Sequence, residues 1–313
     1  MNKRLAWGTA VAVFCVAFAV VLAGCGGTGS PANGNDGSIT LGVAHGADLA
    51  EWLSWLRDNA QDNTTYILPV PAGNSYFSSA QELPEGNGII IDIRPVAPAN
   101  IIQTEGAAMF VVHSGATLRL NQDITLDGGG ITSTGVVVLD GGTIVMESRA
   151  TITGFGWAVF LPEGMGGMFT MRGGTISGNR TGVRLHWGTF TMQGGIITQN
   201  QLEGVDVGAG TFIMQGGTIS RNSIGVYVGA LASVGGTFRI SGGIIHGNSG
   251  PYENTEGALQ IFLGGNFNPP VTARWGSGNI WQDIETPDTV TTQGFQSPGR
   301  RKAIDMRTGV LQP

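Results

Sequence analysis

A sequence repeat in the second half of the chain constrains its fold more than any other feature. Four strong copies begin at Gly167, Gly188, Gly210 and Gly236, so their spacings are 21, 22 and 26 residues. Two weaker copies precede them, from Ala116 and Gly142, and we expect Gly265 to open a degraded last one. A period in this range is typical of a repeat protein that uses one supersecondary unit per turn.

Each copy alternates as a β-strand does. Apolar residues alternate with Thr, Arg and Gln, a period of two that places one face of a strand inside and the other outside. A Gly-Gly pair, a second short strand, an Asn and a third strand complete the unit. This pattern predicts an all-β fold, the parallel β-helix, in which each strand pairs with its equivalent one coil away at about 4.8 Å.

Equivalent residues of neighbouring coils should therefore stack into ladders. We expect an inward phenylalanine ladder of Phe169, Phe190, Phe212 and Phe238. The corners carry asparagines in the same copies: Asn179, Asn200, Asn222 and Asn248. Because Asn tolerates left-handed backbone, we expect it to adopt that conformation there. We also expect each Asn amide to bond the next, which would satisfy polar groups at a buried corner.

Other repeat architectures fit the text less well. The spread of spacings disfavours the strict hexapeptide rhythm of left-handed β-helices, and no L-x-x-L-x-L frame of a leucine-rich repeat recurs. Calcium-binding nonapeptide repeats also open with Gly-Gly, but they need an acidic ligand in G-G-x-G-x-D. The repeat in this chain reads G-G-T-I-S-G-N and lacks that acidic ligand, so no calcium site is predicted.

The first residues have the pattern of an export signal. Lys3 and Arg4 precede an apolar run over residues 5–22, which ends in small residues before Cys25. Residues 22–25 (Leu-Ala-Gly-Cys) resemble the lipobox of bacterial lipoproteins. The resemblance implies a signal peptide over 1–24, lipidation of Cys25 and a lipid anchor in the bacterial envelope, at the outer membrane or cell surface. The alternative is an uncleaved membrane anchor, since the run nearly reaches the ~20 residues needed to span a bilayer.

The remaining chain divides by composition and pattern. Asp48 and Glu51 form a capping box, and Leu49, Trp52, Leu53 and Leu56 follow on one helical face. We therefore predict a flexible tether over 25–38, an N-terminal cap over 39–87 with a helix over 48–60, a parallel β-helix over 88–285 and a loosely ordered tail over 286–313.

The repeats also carry a family resemblance. The runs GTFTMQGG and GGTISGN, with GATLRLNQDITL and the helical LAEWLSWLRDNA upstream, resemble a family of Gly-rich bacterial surface lipoproteins. The likeness covers roughly residues 45–265. It implies a right-handed parallel β-helix, the fold that pectin and pectate lyases also use. It implies no activity, because function belongs to sites and not to folds.

Composition excludes several classes of function. Charged residues make up 12% of the chain, about half the ~25% of an ordinary domain, and the net charge is −6. A nucleic-acid partner, which needs clustered Lys and Arg, is therefore not expected. The histidines are spread over different units without metal-ligand spacing, and no nucleotide-binding fingerprint occurs, so no metal or cofactor is predicted.

Outward-facing acids are few: Asp127, Asp140, Glu147, Glu203 and Asp206. Asp206 should lie beside Arg184 one coil away as a cross-strand ion pair, so no catalytic residue is assigned. His186 and Trp187 end a third strand, and with Arg184 and Asp206 they are candidates to contact carbohydrate. We therefore expect a non-catalytic surface or envelope lipoprotein, structural or adhesive, whose β-helix rod binds a carbohydrate or protein partner. The alternative is a polysaccharide-active enzyme, similar to a pectate lyase or glycosidase, on the same fold.

Overall fold

A computed structural model describes residues 37–248, apart from 131, 165 and 232–233. Beyond 248 it describes only the backbone of short strands between 261 and 293. The predicted signal peptide, Cys25 and nearly all of the tether lie outside the described residues. Within the described residues, no helix is long and apolar enough to cross a membrane.

The predicted helix near the N-terminus, α1, forms over Leu49–Asn59, within the expected range of 48–60. The Asp48 carboxylate accepts a hydrogen bond from the Glu51 amide at 2.9 Å, and the Glu51 carboxylate accepts one from the Ala47 amide at 2.6 Å. The first bond satisfies an amide of the first helical turn, which the helix itself leaves unpaired, and the second satisfies the amide of the residue before the N-cap. The buried face of α1 joins the main hydrophobic core and consists of the predicted residues Leu49, Trp52, Leu53 and Leu56.

Short strands make up the rest of the described structure. The first strands in chain order are β1 (Ile39–Thr40), β2 (Thr65–Leu68), β3 (Gly73–Phe77), β4 (Gln81–Glu82), β5 (Ile89–Ile93), β6 (Ala99–Gln103), β7 (Ala108–Val112), β8 (Ala116–Leu120), β9 (Ile124–Asp127), β10 (Thr134–Val138), β11 (Thr143–Met146), β12 (Thr151–Thr153) and β13 (Trp157–Leu161). The strong repeats follow as β14 (Met168–Met171), β15 (Thr175–Ser177), β16 (Thr181–Leu185), β17 (Thr189–Met192), β18 (Ile196–Thr198), β19 (Glu203–Val207), β20 (Thr211–Met214), β21 (Thr218–Ser220) and β22 (Ile224–Val228). The last strands are β23 (Ala230–Leu231), β24 (Val234–Gly235), β25 (Thr237–Ile240), β26 (Ile244–His246), β27 (Ile261–Leu263), β28 (Thr272–Trp275), β29 (Asn279–Ile280), β30 (Ile284–Glu285) and β31 (Thr291–Gln293).

Three parallel sheets run along the molecule, and each coil contributes one strand to each. Sheet A has the order β1-β2-β5-β8-β11-β14-β17-β20-β25-β28-β31. Sheet B runs from β3 through β6, β9, β12, β15, β18, β21 and β26 to β29, and sheet C from β4 through β7, β10, β13, β16, β19, β22 and β27 to β30. β23 and β24 form a separate antiparallel pair. The prediction of an all-β, right-handed parallel β-helix with a short helix near the N-terminus is confirmed.

The solenoid extends on both sides of its strong repeats. β2, β3 and β4 already pair in parallel with β5, β6 and β7, so a coil forms within the segment assigned above to the cap. β31 lies in the segment predicted as a loosely ordered tail. After the repeat at Gly236, the next strand of sheet A is Thr272–Trp275, which pairs with Thr237–Ile240. The Gly265 start is therefore several residues too early, because the insertion in this coil is longer than in the others.

The phenylalanine ladder fills the interior beneath sheet A. Phe169, Phe190, Phe212 and Phe238 are fully buried. Successive ring centroids are 4.5, 4.8 and 5.1 Å apart, with interplanar angles of 8°, 8° and 15°. The spacing follows from the distance between paired strands, which stacks identical side chains one above another.

The asparagine ladder lies at the corner between sheets B and C. The Nδ2 amides of Asn179, Asn200 and Asn222 each donate to Oδ1 of the next asparagine, at 3.1, 2.9 and 3.0 Å. The same Oδ1 atoms also accept from backbone amides of the preceding asparagines at 3.0–3.1 Å. All four residues are buried, and these bonds satisfy both the side chains and the corner backbone.

The prediction that these asparagines themselves adopt left-handed backbone is wrong by one residue. The residue before each asparagine has the positive φ: Gly178 (69°), Gln199 (56°), Arg221 (57°) and Gly247 (62°). That preceding residue is exposed at the outside of the corner, whereas the asparagine side chain turns inward to bond its neighbours. The ladder, and not tolerance of a left-handed conformation, explains the asparagine at this position.

Candidate functional site

A cluster of aromatic and charged side chains lies on the outer face of sheet C. We call it the sheet C cluster, and its members are Trp157, Phe160, Arg184, His186, Glu203, Asp206 and Tyr227. Strand pairing stacks Phe160, Arg184, Asp206 and Tyr227 in one column, and Trp157 and Glu203 flank Thr181 in a second. Four consecutive strands, β13, β16, β19 and β22, thus bring the cluster together.

Arg184 is at the centre of the cluster. Its Nε donates a hydrogen bond to Nε2 of His186 at 2.8 Å, and lies 3.3 Å from Oδ2 of Asp206. The guanidinium carbon lies 4.8 Å from the ring centroid of Trp157, a cation–π contact. The predicted cross-strand ion pair with Asp206 thus has the expected register, but the N–H of Nε is directed to the histidine.

The bond from Arg184 determines the form of His186. Since Nε2 accepts a hydrogen bond, the imidazole is neutral and carries its proton on Nδ1. Burial, and secondarily the charge of Arg184, lower the pKa of His186, which favours this neutral form. The ring also meets Phe160 edge-on at 5.0 Å, and Phe160 contacts Trp157 at the same distance. Trp157 and His186 therefore contact the arginine directly, and Phe160 contacts both of these rings.

Asp206 is a largely buried carboxyl with 16% of its side chain exposed. Burial raises its pKa from 3.8 to about 6, and the charge of Glu203 adds to this, whereas Arg184 opposes it. Glu203 accepts a hydrogen bond from the Thr181 hydroxyl at 3.0 Å. Asp206 is therefore a carboxyl that gains or loses its proton near pH about 6.

The terminal nitrogens of Arg184, Nη1 and Nη2, make no hydrogen bond to the described part of the chain. The Arg184 side chain is 31% exposed to solvent. A guanidinium presents two parallel N–H donors that match a carboxylate or phosphate. The cluster thus combines a fixed cation, open donors and half-buried aromatic rings, which is the chemistry that binds polar ligands with an apolar face.

The structure brings together three of the four residues named from sequence, Arg184, His186 and Asp206. Trp187 is half-buried next to them, but within the described residues its ring stacks on no other ring, and the tryptophan beside Arg184 is Trp157. Sequence reasoning missed Trp157 and Phe160. Aligning WAVFL at 157–161 with the third strand TGVRL at 181–185 would have found them, since these strands pair in register.

Two acids of the cluster share one strand, which the sequence analysis did not consider. Glu203 and Asp206 are three residues apart on β19, so their Cα atoms are about 10 Å apart at ~3.3 Å per residue. Glycoside hydrolysis uses two carboxyls about 5–9.5 Å apart across the scissile bond. Here each carboxyl already contacts a neighbouring side chain, Thr181 or Arg184.

The other acids engage local partners away from this cluster. Oδ1 of Asp127 and of Asp140 accept backbone amides at 2.8 and 2.9 Å, and Glu147 pairs with Arg172 at 2.8 Å. Asp92, which the sequence analysis overlooked, is fully buried on the outer face of sheet A. It contacts Arg94 at 2.7 Å, Arg119 at 3.6 Å and the Asn121 amide, an arrangement that compensates a buried charge.

Within the described ranges, no three His, Cys, Asp or Glu side chains are placed to share a metal ion. Comparisons of the chain with models of protein families, with curated proteins and with solved structures find no match.

Proposed function

We propose that this chain is a non-catalytic lipoprotein of the bacterial envelope, anchored through Cys25, whose β-helix presents the sheet C cluster to a carbohydrate partner. The observation that carries the binding role is the contact of Arg184 with Trp157, next to Phe160 and His186. Aromatic rings bind the apolar faces of sugars, and charged donors orient the polar groups of a ligand.

The rigidity of the cluster supports binding. Each member belongs to or directly follows a strand paired on both sides, so its position is set before a ligand arrives. A preorganised site avoids part of the entropy that binding otherwise costs. The anchor proposal rests on the lipobox resemblance at residues 22–25 and places the molecule at the outer membrane or cell surface.

The test is a glycan array probed with the full chain purified in detergent. Binding should be lost in Trp157→Ala and retained in Tyr76→Ala, which removes an exposed aromatic ring (62% exposed) from sheet B. Each variant is first checked for unchanged circular dichroism. An array without any ligand, or equal losses in both variants, would contradict the proposed binding role.

The second candidate function is a polysaccharide-active enzyme, and one observation favours it. The pKa of Asp206 is raised to about 6 beside a second carboxyl, as in groups that donate protons in catalysis. Incubation with pectin, polygalacturonate and other acidic glycans, with and without Ca²⁺, decides between the two. We expect no cleavage; turnover that disappears in Asp206→Asn would establish the enzyme instead.

A further inference from the structure

One nitrogen of Arg184 donates a hydrogen bond within the described residues, and the other two do not. Nε is held by His186 and Asp206, whereas the terminal pair Nη1 and Nη2 makes no hydrogen bond within the described residues. A paired set of N–H donors on a planar cation is the protein group best matched to a carboxylate. The guanidinium carbon that carries these donors lies 4.8 Å from the Trp157 ring centroid, and the Phe160 ring contacts Trp157 at 5.0 Å.

Asp206 is the obstacle to such a ligand. Its Oδ2 is 3.3 Å from Arg184 Nε, so an ionised Asp206 both neutralises the arginine and repels an incoming carboxylate. Glu203 adds negative charge from the same strand. A protonated Asp206 removes that repulsion and leaves the charge of Arg184 for the ligand.

We propose that the sheet C cluster binds a carboxylate-bearing sugar residue through Nη1 and Nη2 of Arg184, and that Asp206 admits this ligand when it is protonated. The proposal rests on the carbohydrate-binding function proposed above and adds the ligand class and its control by pH. Binding at neutral pH then takes up one proton from solvent, which moves to the Asp206 carboxyl.

The size of the expected change in affinity with pH follows from the protonated fraction of Asp206. With a pKa of about 6, roughly 90% of the carboxyl is protonated at pH about 5 and roughly 3% at pH about 7.5. If only the protonated form binds, the apparent affinity scales with this fraction. The dissociation constant should therefore rise by up to about 30-fold between these two pH values.

Among the described residues, three other titratable groups neighbour Asp206. Arg184 pairs with Asp206 from β16, Tyr227 pairs with it from β22, and Glu203 lies on the same strand as Asp206. His186 is hydrogen-bonded to Arg184, and the charge of Glu163 raises the pKa of His186 against the larger effect of burial. Protonation of His186 would also favour an anion, so the experiment has to separate it from Asp206.

The experiment is isothermal titration calorimetry of the full chain in detergent with glucuronate, and with glucose as the uncharged match. We expect glucuronate to bind more tightly than glucose at pH about 5, and its affinity to fall toward pH about 7.5 as calculated. Repeating the titration in two buffers of different ionisation enthalpy should show an uptake near one proton at the higher pH.

Three variants identify which residue binds the carboxylate and which residue causes the pH dependence. Asp206→Asn should bind at both pH values as the parent does at low pH, whereas His186→Asn should keep the pH dependence. Arg184→Met should lose glucuronate binding at both pH values. The control Arg172→Met, which removes an arginine directly after β14, should keep it.

The failures are distinguishable. If glucose binds as tightly as glucuronate, or if Asp206→Asn keeps the pH dependence of the parent, this inference is overturned and the carbohydrate-binding function remains. If the glycan array yields no ligand and neither sugar binds, the proposed function itself is overturned.

Discussion

Replacement of Phe212 by Ala tests whether the stacked interior holds the coils together. Phe212 is fully buried, and its ring stacks on Phe190 at 4.8 Å and on Phe238 at 5.1 Å. The alanine side chain reaches neither ring. The substitution therefore removes two stacking contacts between coils as well as one buried side chain.

The expected loss is large. Replacing a buried phenylalanine by alanine costs about 3–5 kcal/mol of unfolding free energy, because apolar surface is lost and a cavity remains. Each aromatic pair contributes about 0.5–1.5 kcal/mol beyond its area. With two such pairs broken, the loss for Phe212→Ala should lie at the upper end, about 5 kcal/mol.

Equilibrium unfolding in urea, followed by circular dichroism, measures this loss. Phe169→Ala is the matched control, because Phe169 has one aromatic neighbour, Phe190 at 4.5 Å, and pairs with Ile144 on its other side. Its loss should be smaller by about 1 kcal/mol, the value of one aromatic pair. Thr211→Ala, on the outer face of the same strand, should change the free energy by less than about 0.5 kcal/mol.

Hydrogen exchange locates the damage. Repeat arrays transmit stability through interfaces between neighbours, so amides in the coils on both sides of Phe212 should exchange faster. Equal losses for Phe212→Ala and Thr211→Ala, or faster exchange confined to one coil, would refute the reasoning that stacked neighbours stabilise one another.

Three further predictions concern other parts of the molecule. Asn222→Ala leaves two donors of Asn200 without their acceptor. Each unpaired buried group costs about 1–3 kcal/mol, so the unfolding free energy measured in urea titrations should fall by about 2–6 kcal/mol. Replacement of the exposed Asn74 by Ala should cost under about 0.5 kcal/mol, and similar losses in the two variants would contradict the ladder. The pKa of Asp206 is raised on folding from 3.8 to about 6, so the folded state binds more protons and the parent chain should lose stability as pH rises from about 4 to about 6. Asp206→Asn should then be more stable by up to about 3 kcal/mol at pH about 7.5 and unchanged below pH about 4, and thermal melts that show no such difference would exclude the raised pKa. Cys25→Ala should release the chain from membranes or leave its signal uncleaved, because it removes the attachment point that we propose for the acyl chains; a processed variant that still fractionates with membranes would refute the proposed anchor.

The sequence of the repeats alone determined the architecture and most of the residues in the interior. In a solenoid each coil contacts only its neighbours, so residues equivalent in sequence are neighbours in space. Aligning the copies therefore identified the strands, the inward phenylalanines and the bonded asparagines. The helix over 48–60 was equally accessible, because a capping box and an apolar face are local signals that need no knowledge of the rest of the chain.

Only the tertiary structure decided the geometry of the candidate site. Trp157 and Phe160 lie in a coil whose sequence departs from the repeat. Only the pairing of their strand, β13, with β16 places them beside Arg184. The left-handed residue before each asparagine depends on how the corner turns, which residue preferences did not resolve. The proton affinity of Asp206 arises from its burial among neighbouring strands, and burial is a property of the assembled sheet that no single strand contains.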